Sequence, residues 1–132
     1  MKTKFQTLVC VLLVGLFILA AGCSSHTMQL TSADQGKQIT LNPGGKLVIR
    51  LDGNPTTGYT WEAVNLDSSF LQQVGGIDFN SSNPNLVGSG GQQTFTFQAL
   101  KSGSTILTLV YHRPWESGVA PLQTYQIFVT IK

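Results

Sequence analysis

The residue types that perform catalysis or bind metals are few and scattered in this chain of 132 residues. There are two histidines, His26 and His112, and no G-x-S-x-G segment that would place a nucleophilic serine on a strained turn. The carboxylates are not spaced as metal ligands or as an acid–base pair. They are Asp34, Asp52, Glu62, Asp67, Asp78 and Glu116. The sequence therefore predicts no enzyme, no metal site and no cofactor.

The most specified stretch of the chain is N-P-T-T-G-Y at residues 54–59. It consists of Asn54, Pro55, Thr56, Thr57, Gly58 and Tyr59. Its proline fixes one φ angle, its glycine tolerates a positive φ, and its two threonines are stiff at χ1. A loop that only reverses the chain needs far less, because Asn-Gly or Asp-Gly is sufficient. We interpret these residues as a loop that contacts a partner; the plainer alternative is a well-built turn.

Two further segments share this loop-like character. The second is G-S-G-G, formed by Gly88, Ser89, Gly90 and Gly91. The third is R-P-W, formed by Arg113, Pro114 and Trp115. Arginine and tryptophan are enriched among the residues that dominate binding energy at interfaces. The plainer alternatives are a slack linker for the second segment and, for the third, a tryptophan that covers the edge of the core.

Alternation of apolar and polar residues predicts the strands that must position these segments. The predicted strands cover residues 27–41 (interrupted), 46–52, 59–65, 77–79, 92–100, 104–112 and 122–132. Residues 104–112 are so apolar that we expect a central strand covered on both faces. With no helical period and no internal repeat, about seven short strands predict an all-β sandwich.

The direction of the chain predicts where the three segments lie. If every connection reverses the chain, alternate loops lie at the same pole of a sandwich. The loops after the second, fourth and sixth predicted strands then share one pole, and these are the loops that hold N-P-T-T-G-Y, G-S-G-G and R-P-W. A group of special loops at one end of a rigid scaffold is typical of a recognition surface.

In order and rough spacing, these three segments resemble the signature motifs of the chagasin family, whose members inhibit papain-like cysteine proteases. The resemblance covers residues 27–132. It implies an immunoglobulin-like antiparallel β-sandwich that acts as a monomeric, reversible and non-covalent inhibitor. The clearest departure is Tyr59, where many relatives have Phe, and we expect its ring to pack at the start of a strand.

The resemblance also implies a role for each segment. Thr56 and Thr57 would contact the catalytic centre of the protease, while Gly58 allows close backbone approach. The G-S-G-G segment would lie in the unprimed half of the cleft and pair through its backbone. Arg113 and Trp115 would pack on the primed side. The alternative from a different class is an adhesion or assembly module of the cell envelope, because sandwich folds host many functions.

The first residues of the chain indicate an export signal. Lys2 and Lys4 precede an uncharged run at 8–21, which is shorter than the roughly 20 apolar residues that a spanning helix needs. We predict a lipoprotein signal peptide over residues 1–22. The segment L-A-A-G-C resembles a bacterial lipobox and implies lipidation of Cys23, followed by a tether to residue 26. The alternative is an ordinary cleaved signal with an incidental cysteine.

Removal of the signal changes the charge and the thiol content of the chain. Without Lys2 and Lys4, the remaining basic residues equal the acidic ones in number, so no nucleic-acid partner is expected. Cys10 leaves with the signal and Cys23 would be blocked by lipid, so no thiol remains for catalysis. We therefore expect a protein anchored through Cys23 in the bacterial cell envelope, at the outer membrane or the periplasmic face, with the cell surface as a further alternative.

Overall fold

Residues 26–132, the part of the chain that the computed structural model describes, form nine β-strands and two short 3₁₀ turns joined by loops. The strands are β1 (Thr27–Thr31), β2 (Gln38–Leu41), β3 (Lys46–Gly53), β4 (Thr60–Val64), β5 (Leu71–Gln73), β6 (Asp78–Ser81), β7 (Gly91–Ala99), β8 (Gly103–His112) and β9 (Gln123–Ile131). The 3₁₀ turns are Ser32–Asp34 and Pro55–Thr57. The predicted all-β sandwich is confirmed. The predicted signal peptide and the lipidation of Cys23 lie outside the described residues.

The strands form two sheets. The five-stranded sheet has the order β1-β3-β7-β5, with β6 also paired to β7, and the four-stranded sheet has the order β2-β9-β8-β4. The pairs β1–β3 and β2–β9 are parallel, and all the other pairs among the described residues are antiparallel. Both sheets are therefore mixed, and the expectations of a fully antiparallel sandwich and of about seven strands are wrong in these two respects.

The parallel pairs and one of the two additional strands arise in the first predicted strand, 27–41, which forms two strands in different sheets. The other additional strand is β5, which lies between the predicted strands 59–65 and 77–79. A 3₁₀ turn carries the chain from one sheet to the other. The Asp34 carboxylate fixes this turn, because it accepts hydrogen bonds from the backbone N–H of Thr31 at 2.8 Å and from Lys37 Nζ at 2.7 Å. Since β2 lies between β1 and β3 along the chain but in the opposite sheet, no hairpin joins β1 to β3 and their pairing is parallel.

The core lies between the sheets and follows the predicted alternation. The inward side chains of β3 and β7 are almost completely buried: Leu47, Ile49, Leu51, Phe95, Phe97 and Ala99. Those of β8 and β9 meet them from the other sheet: Leu107, Leu109, Tyr111, Tyr125, Ile127, Val129 and Ile131. Trp61 of β4 is also buried, as its central position in a strand predicts.

The outer face of β8 differs from the prediction. β8 is central, between β9 and β4, but it is not covered on both faces. Ile106 is 47% exposed and its cross-strand partner Phe128 is 39% exposed. No described element packs over this face of the four-stranded sheet, so the apolar run of β8 is only half-buried.

The pairing registers show which connections share a pole. Gly53 at the end of β3 pairs with Gly91 at the start of β7, and Ser81 at the end of β6 also pairs with Gly91. In the other sheet, Thr60 at the start of β4 pairs with His112 at the end of β8. The three predicted loops therefore leave the sandwich at one pole, as the direction of the chain predicts. At the opposite pole, Thr27 pairs with Lys46.

Candidate functional site

The central loop, residues 54–59, is shaped by hydrogen bonds within itself. Asn54 precedes the 3₁₀ turn and its Oδ1 accepts from the backbone N–H of Thr56 at 3.2 Å and from the Thr56 hydroxyl. The Thr57 hydroxyl donates to the backbone carbonyl of Asn54 at 2.6 Å. Gly58 closes the turn at a φ of 85°, in the left-handed region. Both threonine hydroxyls therefore serve to hold the loop in one conformation.

Buried side chains hold the two ends of this loop. The Tyr111 hydroxyl accepts from the backbone N–H of Asn54 at 2.9 Å. Gln93 is the buried polar residue of the described core. Its Oε1 accepts from the backbone N–H of Trp61 at 3.2 Å, and its Nε2 donates to Thr60 Oγ1 at 2.9 Å. Because a buried amide without partners costs about 1–3 kcal/mol, these bonds fix the orientation of Gln93 and with it the start of β4.

A stack of aromatic rings connects the core to the loops. The Trp61 and Tyr111 ring centroids lie 5.2 Å apart, and those of Tyr111 and Tyr59 lie 5.4 Å apart. The Arg113 guanidinium lies over the outer ring, with its central carbon 4.5 Å from the Tyr59 centroid. Tyr59 therefore packs at the start of β4, as the sequence predicts, and supports a cation from the R-P-W segment.

The third loop, residues 113–122, is attached to the central loop at two points. Arg113 Nε donates to the backbone carbonyl of Thr57 at 3.3 Å, and its Nη1 lies 3.2 Å from Glu116 Oε1. Trp115 is 67% exposed, and its ring lies against Gly58. The guanidinium of Arg113 thus binds within the molecule, while much of the indole of Trp115 is available to a partner. Pro114, between them, is exposed.

The second loop, residues 82–90, connects β6 to β7 as a hairpin. Ser82 donates to the Gly90 carbonyl from both its backbone N–H, at 2.9 Å, and its hydroxyl, at 2.7 Å. Gly91 is the first residue of β7. Asn54 Nδ2 donates to the backbone carbonyl of Gly88 at 3.0 Å, which joins this loop to the central one. The G-S-G-G segment therefore forms one side and the base of the hairpin, and not its tip.

The tip of the second loop carries apolar residues that the sequence analysis missed. Val87 is fully exposed and Leu86 is 59% exposed. Val119 and Leu122 of the third loop are also exposed, by 61% and 62%. The signal for the tip was the pair Leu86-Val87 inside a polar run with no alternation to bury it. Exposed apolar side chains on several loops of one pole indicate a surface that binds a macromolecule.

The chemistry available at this pole is that of binding. Within residues 26–132, no three His, Cys, Asp or Glu side chains are grouped closely enough to hold a metal ion. His112 Nε2 lies 2.7 Å from Glu62 Oε2, and neither contacts an activated hydroxyl or thiol among the described hydrogen bonds. In the same range, no helix is long and apolar enough to cross a membrane. The site offers shape, backbone groups and apolar side chains.

Comparison with known proteins gives a consistent result. A family model described as chagasin family peptidase inhibitor I42 matches residues 40–129. Amoebiasin-1 of Entamoeba histolytica is 32% identical over 90 residues, which are 67% of this chain and 84% of that protein. Chagasin of Trypanosoma cruzi is 30% identical over 108 residues, which cover 76% of this chain and 94% of chagasin.

Solved structures agree with the family match. The crystal structure of a cysteine protease inhibitor from Entamoeba histolytica matches with a TM-score of 0.73 and 26% sequence identity. The match covers 84% of this chain and all of that one. It confirms the fold class, an immunoglobulin-like β-sandwich.

Proposed function

The chain belongs to the chagasin family of peptidase inhibitors, and from this premise we propose that it reversibly blocks the active-site cleft of papain-like cysteine proteases. Family members inhibit proteases and are not themselves enzymes. In our proposal the three loops at one pole form a wedge that enters the cleft, and no covalent bond forms.

The observation that carries this proposal is that the three motif loops interlock in the isolated domain. Arg113 binds the Thr57 carbonyl, Trp115 lies on Gly58, and Asn54 binds the Gly88 carbonyl. Because the loops are already ordered relative to one another, binding loses little further conformational freedom. Preorganisation of this kind is expected of an inhibitor that acts by fit alone.

The conformation of the central loop supports occlusion over cleavage. Proteins that bind extended peptides pair with them as with an added β-strand. Pro55–Thr57 form a 3₁₀ turn and Gly58 is left-handed, so the peptide bonds of this loop are not presented as an extended strand. We propose that this turn lies over the catalytic Cys–His pair and that its bonds resist attack for this reason.

The flanking loops would fill the two halves of the cleft. We place the second loop on the unprimed side, where Leu86 and Val87 offer exposed apolar contacts and the backbone near Gly88 is accessible. We place Trp115 on the primed side, with two-thirds of its surface available to the enzyme. Arg113 would act there mainly by fixing the third loop, since its guanidinium is already paired.

The test is a titration of papain activity with the purified protein. We expect stoichiometric loss of activity, and at least a 100-fold weaker inhibition constant for a Val87→Asp/Trp115→Ala variant. Phe128→Ala is the matched control, because it truncates a partly exposed aromatic residue on the outer sheet face. If the wild-type protein inhibits neither papain nor cathepsin-like enzymes, the proposal is wrong, and an adhesion or assembly role for the loops becomes the better explanation.

We further propose that the protein is held in the bacterial cell envelope by lipid on Cys23. The support is the sequence alone, namely the L-A-A-G-C segment after an apolar run. Metabolic labelling with a radioactive fatty acid tests it. We expect label on the wild-type protein and none on Cys23→Ser, and label on neither would refute the anchor.

A further inference from the structure

Asn54 has all of its polar groups engaged, and their partners come from three parts of the molecule. Its backbone N–H donates to Tyr111 of β8, and its backbone carbonyl accepts from the N–H of Thr57 at 3.1 Å and from the Thr57 hydroxyl. Its side-chain oxygen accepts from Thr56, and its side-chain nitrogen donates to Gly88. One side chain therefore both caps the central loop and binds the second loop.

The second loop depends on this contact for its attachment to the rest of the pole. The other described hydrogen bonds of residues 82–90 lie within the hairpin itself or join it to Ser81 at the end of β6. Across residues 26–132, the Asn54–Gly88 bond is the one that ties this loop to another loop. Without it, the tip with Leu86 and Val87 would be free to move relative to the central loop, held only by its connections to β6 and β7.

We propose that Asn54 is a positioning residue, which fixes the second loop against the central loop and so sets how much the Leu86–Val87 tip contributes to binding. The inference rests on the proposed function. Asn54 acts here through Gly88, and not by touching the protease. The residue is half-buried between the two loops, which suits this role.

The chemistry of the side chain explains why asparagine is required. The site needs an acceptor toward Thr56 and a donor toward Gly88 on one short, planar group. Aspartate has the same shape and keeps the acceptor, but it places a carboxylate oxygen against the Gly88 carbonyl. Asn54→Asp therefore removes the link between the loops and leaves the cap of the 3₁₀ turn in place.

The first measurement is hydrogen exchange on the purified protein without protease. In Asn54→Asp we expect at least a tenfold faster exchange for the backbone amides of Leu86 and Ser89, which bond within the hairpin. We expect unchanged exchange for Gly58 and for the core strands. Unchanged exchange in the second loop, or a loss of protection throughout the domain, would overturn the proposal.

The second measurement is a double-mutant cycle for papain inhibition, with Leu86→Ala/Val87→Ala as the second change. We expect Asn54→Asp to weaken inhibition at least tenfold with the wild-type tip and less than twofold with the truncated tip. An equal loss in both backgrounds would mean that Asn54 acts directly, and no effect of the tip variant would mean that there is nothing to position. Either result overturns the proposal.

The two measurements separate failure of this inference from failure of the proposed function. If the wild-type protein does not inhibit papain-like enzymes, the wedge proposal is wrong, while hydrogen exchange still tests whether Asn54 orders the second loop. If the protein inhibits and the cycle shows no coupling, the wedge stands and the positioning role falls.

Discussion

The indole ring of Trp115 lies in the space that a Cβ atom on Gly58 would occupy. A Cβ built on Gly58 would clash with the ring, coming within 2.8 Å of its Cζ2. Gly58 is therefore required twice, once for its φ of 85° and once because the tryptophan lies against its α-carbon. This contact joins the central loop to the third loop, and it places a residue without a side chain beneath the most exposed aromatic ring of the pole.

We expect Gly58→Ala to weaken papain inhibition at least tenfold, because the added methyl displaces Trp115. Because alanine is strained in the left-handed conformation, the substitution should also lower the free energy of unfolding by about 1 kcal/mol. Gly44→Ala is the matched control: it has a φ of 82°, lies at the opposite pole and has no atom within 4 Å of the new Cβ. An equal rise of the inhibition constant in both variants would contradict the role of the Trp115 contact.

Arg113 and lysine should not be interchangeable. The guanidinium stacks on Tyr59 while its Nε donates to Thr57, and a lysine ammonium cannot do both from one plane. We expect Arg113→Lys to weaken inhibition about tenfold, equal to roughly 1.4 kcal/mol of binding free energy. The control is Arg50→Lys, at a residue that binds Gln29 on β1, where inhibition should not change. Full activity of Arg113→Lys would show that charge alone matters.

Tyr125 should make the protein sensitive to alkali. Burial, with a smaller contribution from the nearby Asp34 charge, raises the pKa of Tyr125 to about 12 from its ordinary 10.0. The unfolded chain loses this proton near pH 10 while the folded chain keeps it, so stability falls between pH 10 and pH 12. We expect Tyr125→Phe to lessen this fall, measured by urea unfolding at pH 7 and pH 11.

The same substitution should cost little at neutral pH. The Tyr125 hydroxyl is buried and has no hydrogen-bond partner within residues 26–132. Its removal is therefore expected to leave the free energy of unfolding unchanged or to raise it by about 1 kcal/mol. Tyr111→Phe, which removes the acceptor for Asn54, should instead lower it by about 1 kcal/mol. A loss of that size in Tyr125→Phe would mean that the hydroxyl is paired.

The Asp34 carboxylate should stabilise the fold only at a pH above its pKa, where it is ionised. A hydrogen bond from Lys37, and next the N–H of Thr31, lower the pKa of Asp34 below 3.8. A lowered folded pKa means that the stabilisation is present above pH 4 and is lost as the pH falls through the folded value. We expect Asp34→Asn to have a free energy of unfolding about 0.5 kcal/mol below that of the wild type at pH 7. At pH 2 the two free energies of unfolding should be nearly equal, as measured by thermal unfolding. Asp78→Asn serves as a control, and equal deficits at both pH values would contradict this prediction.

The sequence was sufficient to predict the scaffold, because each strand has one buried face. The alternation of Leu47, Ile49 and Leu51 with polar residues specifies both the strand and its orientation. The pole shared by the three loops was also predictable, even though the first predicted strand, 27–41, forms the two strands β1 and β2. β1 and β2 run in opposite directions, so the chain enters β3 from the same pole in either case.

The contacts that order the loops could not be predicted in this way. Asn54 and Gly88 are 34 residues apart and Thr57 and Arg113 are 56 apart, so no local pattern encodes their meeting. The exposure of Ile106 could not be predicted from a local pattern either. Whether an apolar side chain is covered depends on what the rest of the chain places over it, and an apolar run alone cannot show that.

The chain direction at residue 26 has a practical consequence. The His26 carbonyl accepts from the N–H of Lys46, and the N–H of Lys132 donates to the Leu41 carbonyl, so both residues lie at the pole opposite the loops. The eight residues of β3 separate the two poles by roughly 26 Å. A bead, a sensor chip or a bilayer coupled through either residue would therefore lie at the pole opposite the three loops. The loops would point away from that surface and stay accessible to a protease in solution.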